Sequence, residues 1–326
     1  MLPGAAAAAV ALAVALLAGR QAAADEKIVF ATDWKAEAEH GGYYQAVAEG
    51  LYRKRGLDVT IHEGGPGIDN QQLIAAGAVT MAVGSNSFVP LNLLQAGAAV
   101  RAVMAGFQKD PQVLMAHERD DIRTLADMKG KPIMIASGSA TTFWLWLKAK
   151  FDFQDSQIRK YTFNMAPWLV DRNAIQQGYL SSEPYLVMKQ GVTPKVFLLA
   201  DYGYPSYAGM VLVPQKMIDA KPEVVRAFVA ATVEGWHDYL NGDNAAANAL
   251  IQKANPEMTD DVLAYAVRTM KANHVVDGGD AATGGIGIMT DARWRDFYDV
   301  MVSQKVYPPG LDYTRVFTTA FLPQPR

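Results

Sequence analysis

Short apolar runs alternate with loops and then with segments of helical spacing from Lys27 to Leu199, and this alternation limits most strongly what the chain can fold into. Residues 27–30 read as a strand, 33–42 as a loop and 43–54 as a helix ending near Gly56. Residues 56–61 form a second strand, 63–67 a tight loop and 71–76 a short helix closed by Gly77. A buried strand at 81–83, a helix at 88–95 and a fourth strand at 100–107 complete a first unit. Strands alternating with helices of this length predict βαβ units and a mainly parallel sheet.

A second unit follows. Residues 113–116 read as a strand, 121–132 as a short surface helix leading into a strand at 133–136, and 137–142 as a loop before a helix at 143–151. A strand at 161–163, a helix at 167–177, a short strand at 179–180, a helix at 183–190 and a strand at 196–199 come next. Residues 209–214 read as a returning strand. Beyond Pro214 the spacing turns helical, at 222–240, 245–254, 259–272 and 291–302, and the glycine-rich stretch 277–288 reads as a surface loop. Two extended segments, near 112–116 and 208–213, therefore join two α/β units, with the C-terminal helices covering a face of the first. Residues 25–112 and 209–326 are expected to form lobe 1 and residues 113–208 lobe 2. Two crossings make a hinge, and a hinge makes a cleft that can close on a ligand.

The 326 residues carry a net charge of −3, which gives no reason to expect nucleic acid or an anionic membrane as partner. There is no cysteine, which excludes disulfides, thiolate metal sites and a cysteine nucleophile. The first 24 residues stand apart. Residues 5–18 are continuously apolar, Arg20 follows, and Ala22 and Ala24 fit a small-residue cleavage site, so residues 1–24 are expected to be a signal peptide, the alternative being an uncleaved anchor helix, and the mature chain to be periplasmic. Enzyme motifs are missing as well. The five histidines form no H-E-x-x-H, Ser85, Ser137 and Ser139 lack a G-x-S-x-G context, and no glycine loop runs into Lys-Ser or Lys-Thr. No catalytic residue, metal or cofactor is expected.

Several segments carry a family resemblance. They are Asp33-Trp34 with His40-Gly41-Gly42-Tyr43-Tyr44, Gly56-Leu57-Asp58-Val59, Gly64-Gly65-Pro66, Gln72-Leu73-Ile74-Ala75-Ala76-Gly77, Leu125-Ala126-Asp127-Met128-Lys129-Gly130-Lys131, Gln177-Gly178-Tyr179 with Glu183-Pro184, and Tyr202-Gly203-Tyr204-Pro205. With them the chain resembles the periplasmic solute-binding proteins of ABC importers. More narrowly it resembles the nitrate/sulfonate/taurine-binding proteins that share their fold with thiamine-pyrimidine synthase. The resemblance implies an α/β fold of two lobes, the type II periplasmic-binding-protein fold, with two hinge crossovers and the C-terminal helices on lobe 1. It implies a monomer that captures a small molecule and hands it to an inner-membrane ABC permease. The Asp-Trp start, the Gly-Gly-Pro loop and the Tyr-Gly-Tyr-Pro segment point to members that bind thiamine-precursor pyrimidines or riboflavin-like rings. The synthase branch carries a cysteine-rich motif, which this chain cannot contain.

A planar heterocycle needs aromatic faces, hydrogen-bonding groups at the ring edge and few unpaired charges. Ligands of open α/β sheets bind beyond the carboxyl ends of the strands. On that ground Trp34, Tyr43, Phe88, Trp144, Trp168, Tyr185, Tyr204 and Tyr207 are aromatic candidates, with Trp34 the first choice for a stacking wall or else a core tryptophan under the first helix. Tyr43 is placed toward the cleft and its neighbour Tyr44 toward the core. His40 is a hydrogen-bond donor or only a neighbour of the helix start. Gly65 lies where backbone could approach a ligand, or in a plain turn. Ser85, Asn86, Ser137 and Thr141 precede helices, where N–H groups attract anions or where they merely cap. Glu183 could accept bonds from an aminopyrimidine or simply sit in a first helical turn. A sulfonate or taurine ligand is the alternative, and it predicts an arginine aimed into the cleft; Arg172 lies near a loop, but its segment shows no strongly basic cluster. A synthase-like enzyme is the third reading.

Overall fold

A computed structural model describes residues 24–65, 68–162 and 164–324. The segment expected as a signal peptide, apart from Ala24, lies outside the described residues, as do Pro66, Gly67 and Phe163. No helix among the described residues is long and apolar enough to cross a membrane.

The ten strands are β1 (Glu26–Ala31), β2 (Leu57–His62), β3 (Met81–Asn86), β4 (Val100–Phe107), β5 (Gln112–His117), β6 (Ile133–Ile135), β7 (Ile158–Lys160), β8 (Ile175–Tyr179), β9 (Pro194–Leu198) and β10 (Ala208–Pro214). They form two five-stranded sheets, in the orders β2-β1-β3-β10-β4 and β7-β6-β8-β5-β9. The two sheets share one plan. In each, three strands run parallel, and the strand inserted next to them, β10 in the first sheet and β5 in the second, runs antiparallel to both neighbours. Each inserted strand is the first one after the chain crosses from one sheet to the other. The crossings are residues 108–111 and 199–207, a few residues ahead of the segments 112–116 and 208–213 that the sequence suggested. Those segments are central strands buried on both faces, with the consecutive apolar residues Val113 to Ala116 and Met210 to Val213 at 0% exposure.

Twelve α-helices complete the described residues: α1 (Gly41–Ala48), α2 (Asn70–Ala75), α3 (Phe88–Gln95), α4 (Phe143–Phe151), α5 (Ala166–Val170), α6 (Glu183–Met188), α7 (Gln215–Ala220), α8 (Pro222–Asn241), α9 (Ala245–Ala254), α10 (Asp260–Ala272), α11 (Ala281–Gly284) and α12 (Asp291–Ser303). The C-terminal helices pack on the first sheet, as expected. Phe228 of α8 meets Phe30 of β1 with ring centroids 5.1 Å apart, and Phe297 of α12 meets Phe88 of α3 at 5.1 Å. They also reach the second unit, since Tyr265 of α10 stacks on Tyr185 of α6 at 4.4 Å and Lys189 pairs with Asp261 at 2.9 Å.

Three local expectations are corrected. The helix expected over 167–177 is the short α5 followed by strand β8. The Asp171 side chain accepts the Asn173 N–H at 2.8 Å and breaks the helix, and the register with β5 and β6 then extends Ile175 onward. The first helix ends at Ala48 rather than Lys54, and a 3-10 turn at Arg53–Arg55 follows. The stretch expected as a surface loop at 277–288 contains α11, and its Gly287 forms a bridge to Ala105 of β4, with Ala105 N–H donating to Gly287 O at 2.9 Å.

The crossing at 108–111 buries a carboxyl group. Asp110 is 2% exposed and accepts the Gln112 N–H at 2.9 Å. Burial pushes this carboxyl up to about 8, against the pull of that hydrogen bond and of the Arg293 guanidinium. In the unfolded chain it ionises near its ordinary value of 3.8. Folding therefore takes up a proton between about pH 4 and pH 8, and stability falls as pH rises through that window. Asp110→Asn is expected to lessen the fall in thermal transition between pH 5 and pH 8, read by circular dichroism. An unchanged slope would show that Asp110 ionises as freely folded as unfolded.

Candidate functional site

The carboxyl ends of the parallel strands of both sheets face one another across a cavity of about 500 Å³. This is the edge at which open α/β sheets present their loops. From the first unit the lining comprises Asp33, Trp34 and Glu37 after β1, Gly65 after β2, Asn70 in α2, and Ser85 and Asn86 at the end of β3. From the second it comprises Gln112, Ser137 to Ser139, Thr141, Lys160, Tyr161, Gln177, Tyr179 and Glu183.

Trp34 is held by its own backbone. The Gly64 N–H donates to Trp34 O at 3.1 Å, and the Thr32 hydroxyl donates to the same oxygen at 2.9 Å. A Cβ on Gly64 would lie 2.5 Å from Thr32 O and 2.7 Å from Trp34 N, so the two loops can meet only because residue 64 has no side chain. The close approach that the Gly-Gly-Pro segment suggested is thus loop against loop at Gly64. The Trp34 ring faces Tyr161 of the opposite unit, with centroids 6.0 Å apart and planes inclined by 29°. A ring lying between them needs about 7 Å, twice a carbon contact distance, so a ligand sandwiched there requires the units to part slightly.

Glu183, 6% exposed at the start of α6, is fixed by two donors. The Tyr161 hydroxyl reaches Oε1 at 3.0 Å and the Tyr179 N–H reaches Oε2 at 2.8 Å. Burial pushes its carboxyl up to about 7 in spite of these bonds. Glu37, 5% exposed, is pushed well above its ordinary value by burial and by the charges of Glu39, Glu183 and Asp33. Glu39 is raised by burial too, and it accepts a hydrogen bond from the Ser181 hydroxyl of the other unit. The two units are also joined where Asn92 Nδ2 donates to the backbone oxygen of the lining residue Thr141 at 2.9 Å.

Of the residues singled out from sequence, Trp34, Gly65, Ser85, Asn86, Ser137, Thr141 and Glu183 line the cavity. His40 does not. It stands one layer behind, 3% exposed, with Nε2 3.1 Å from Asp33 Oδ1, so it contacts a lining residue. Four aromatic candidates belong to the core instead. Tyr43 donates to Gly209 O at 3.1 Å and packs against Phe30 at 4.7 Å, and its neighbour Tyr44 is buried as well. Trp144 turns under α4, with Nε1 donating to Asp155 at 2.9 Å. Trp168 stacks on His117 at 3.8 Å behind β5, and Tyr204 packs against Trp146 at 5.1 Å. Phe88 and Tyr207 are also core residues, and Tyr185 faces α10. These large rings pack between the sheets and helices, and the rings that face the cavity, Trp34, Phe143, Tyr161 and Tyr179, lie in loops or at the ends of elements. Arg172 is exposed and away from the lining.

The sequence reading gave no site role to Glu37, Asn70, Gln112 or Tyr161, and Gln177 and Tyr179 entered it only within the family resemblance. One signal was available. Tyr179 and Glu183 lie four residues apart around the β8–α6 turn, the spacing that lets the carboxylate return to the Tyr179 N–H.

Comparison with known proteins adds four observations. The model of a family described as NMT1/THI5 like matches residues 37–246. The riboflavin-binding protein RibY of Chloroflexus aurantiacus is 24% identical over 308 residues, covering 91% of this chain and 86% of that protein. A formylaminopyrimidine-binding protein of Halalkalibacterium halodurans is 24% identical over 289 residues, covering 84% and 86%. The periplasmic aliphatic sulphonate binding protein SsuA from Escherichia coli superposes with a TM-score of 0.66 at 14% identity, over 92% of this chain and 94% of that one, and so shares the periplasmic-binding-protein fold.

Proposed function

The chain belongs to the NMT1/THI5-like family, and from that premise we propose that it is the solute-binding component of an ABC importer, carrying a planar nitrogen heterocycle between its two lobes. Residues 25–112 and 209–326 are read as one lobe and 113–208 as the other. Residues 1–24 are read as an export signal, which places the mature chain in the periplasm, where it would meet an inner-membrane permease. The chain is read as a binder and not an enzyme.

The observation that carries this reading is the opposed pair Trp34 and Tyr161, one from each lobe, beside a carboxyl group locked in place at Glu183. Aromatic faces stack on a flat ring, worth about 0.5–1.5 kcal/mol per pair beyond burial. A fixed carboxyl accepts from exocyclic amines at its edge. Both sequence relatives are named for flat nitrogen heterocycles, a flavin and an aminopyrimidine. The sulfonate alternative finds less support, because the lining carries Asp33, Glu37, Asp69 and Glu183 against the single cation Lys160 and no arginine.

Ligand-induced thermal stabilisation tests the class directly. Riboflavin or 4-amino-5-hydroxymethyl-2-methylpyrimidine is expected to raise the transition, and taurine is not; stabilisation by taurine alone overturns the reading. Trp34→Ala is expected to weaken binding of the stabilising ligand at least tenfold by calorimetry while the unfolding temperature stays within a few degrees. An unchanged affinity removes Trp34 from the site. Glu183→Gln should weaken an aminopyrimidine more than riboflavin, since the exocyclic amine is the group the carboxyl accepts from.

A further inference from the structure

The acids of the cavity are not equivalent. Asp69 is engaged as the cap of α2, accepting the N–H groups of Gln71 and Gln72 at 2.9 and 3.3 Å. Asp33 is engaged with His40, and Glu183 with Tyr161 and Tyr179. Glu37 is different. It lines the cavity, it is 5% exposed, and its carboxyl makes no hydrogen bond among the described residues. Having no such bond, its oxygens are also not among the buried side-chain atoms left without a partner inside the described residues, which leaves them facing the cavity that the residue lines.

A carboxyl group in that position is costly to the empty protein. The charged groups that bear on it are Glu39, Glu183 and Asp33, all of its own sign, and Lys35, which is 37% exposed and paired with Glu257 at 3.5 Å. Burial without a partner is tolerated in native structures where a ligand supplies what is missing. Resting on the proposed function, we infer that Glu37 is the counter-ion for a positively charged substituent of the ring ligand, so that the site selects a cationic heterocycle over its neutral isostere. Glu183, already holding two donors, grips the ring edge; Glu37, holding none, meets the charge. Because the empty site favours the protonated carboxyl, a cation arriving there displaces that proton to solvent.

Two pyrimidines that share a ring and differ in one substituent test this on the unmodified protein. 4-Amino-5-aminomethyl-2-methylpyrimidine carries an ammonium at neutral pH, and 4-amino-5-hydroxymethyl-2-methylpyrimidine is neutral. By calorimetry the ammonium compound is expected to bind at least tenfold more tightly. Its apparent enthalpy should vary with the ionisation enthalpy of the buffer, which reports the released proton. Glu37→Gln should bring the two affinities together by weakening the ammonium compound alone, with a thermal transition no lower than that of the parent. Equal or tighter binding of the neutral compound overturns the charge assignment and leaves the heterocycle reading standing. Binding of neither overturns the charge assignment, and the heterocycle reading falls with it if riboflavin also fails to bind. A Glu37→Gln variant that still prefers the ammonium compound tenfold assigns the charge to another residue.

Discussion

Gly235→Ala is expected to destabilise the protein by about 3 kcal/mol or more, although alanine is the better helix former by up to ~1 kcal/mol. Gly235 lies inside α8, where that helix crosses α1. A Cβ there would stand 2.2 Å from Gly42 O, 2.9 Å from Ala46 Cβ and 3.0 Å from Ala46 N. The nearest of these atoms is backbone, so no rotamer change relieves the clash and the two helices must separate. The crossing is built from glycines on both sides, since a Cβ on Gly42 would enter the Trp236 ring and one on Gly41 the Tyr239 ring. Separation would loosen Trp236 and Tyr239, both 0% exposed. The thermal transition should fall on the order of 5–10 °C. A transition at or above that of the parent means that α1 and α8 are not in this contact.

Arg293→Ala is expected to cost a similar amount, by a different route. The guanidinium of Arg293 in α12 ties together the two segments that cross between the sheets. It donates to Gln108 O in the first crossing, and to Ser206 O at 3.0 Å and Pro205 O at 3.4 Å in the second. It also lies over the Tyr207 ring, 4.1 Å from its centroid. Charge-assisted bonds of this kind contribute about 1.5–3 kcal/mol each when a partner would be left buried and unpaired, and a stacked cation adds about 0.5–2 kcal/mol. Since the three carbonyls share one guanidinium, the sum is smaller than the parts, and about 3 kcal/mol is the expected loss. Lysine cannot replace it, because a single ammonium on a flexible stem cannot span two chain segments in one plane. Arg293→Lys should therefore lose most of the stability that Arg293→Ala loses. It should also speed amide exchange at residues 108–112 and 206–208 relative to the strands. Slow exchange there with a parental transition would show that the crossings hold without the arginine.

Residues near Arg293 and Gly42 show how the sequence was legible in one respect and opaque in another. The pair Gly41-Gly42 read as the end of the loop 33–42. Both glycines instead serve a helix crossing whose other half lies almost 200 residues away. Trp144, Trp168 and Tyr204 stood next to loops, yet each turns inward, because a single helix or strand boundary does not reveal which side of the chain meets the sheet.

The alternation of strands and helices, the two crossings and the placement of the first loop follow from periods of apolar side chains along the chain, which are local quantities. Trp34 could be singled out on the same ground, as an aromatic at a strand end, whereas Glu183, in the first turn of a helix, stood out mostly through the family resemblance. Glu37, Tyr161 and Tyr179 owe their roles to the closing of two sheets on each other. Their roles depend on opposing loops from different units brought within hydrogen-bonding and stacking distance, and on how far burial raises the cost of a charge. Distances between remote segments and the dielectric around a carboxyl are properties of the folded whole, so only the tertiary structure decided them.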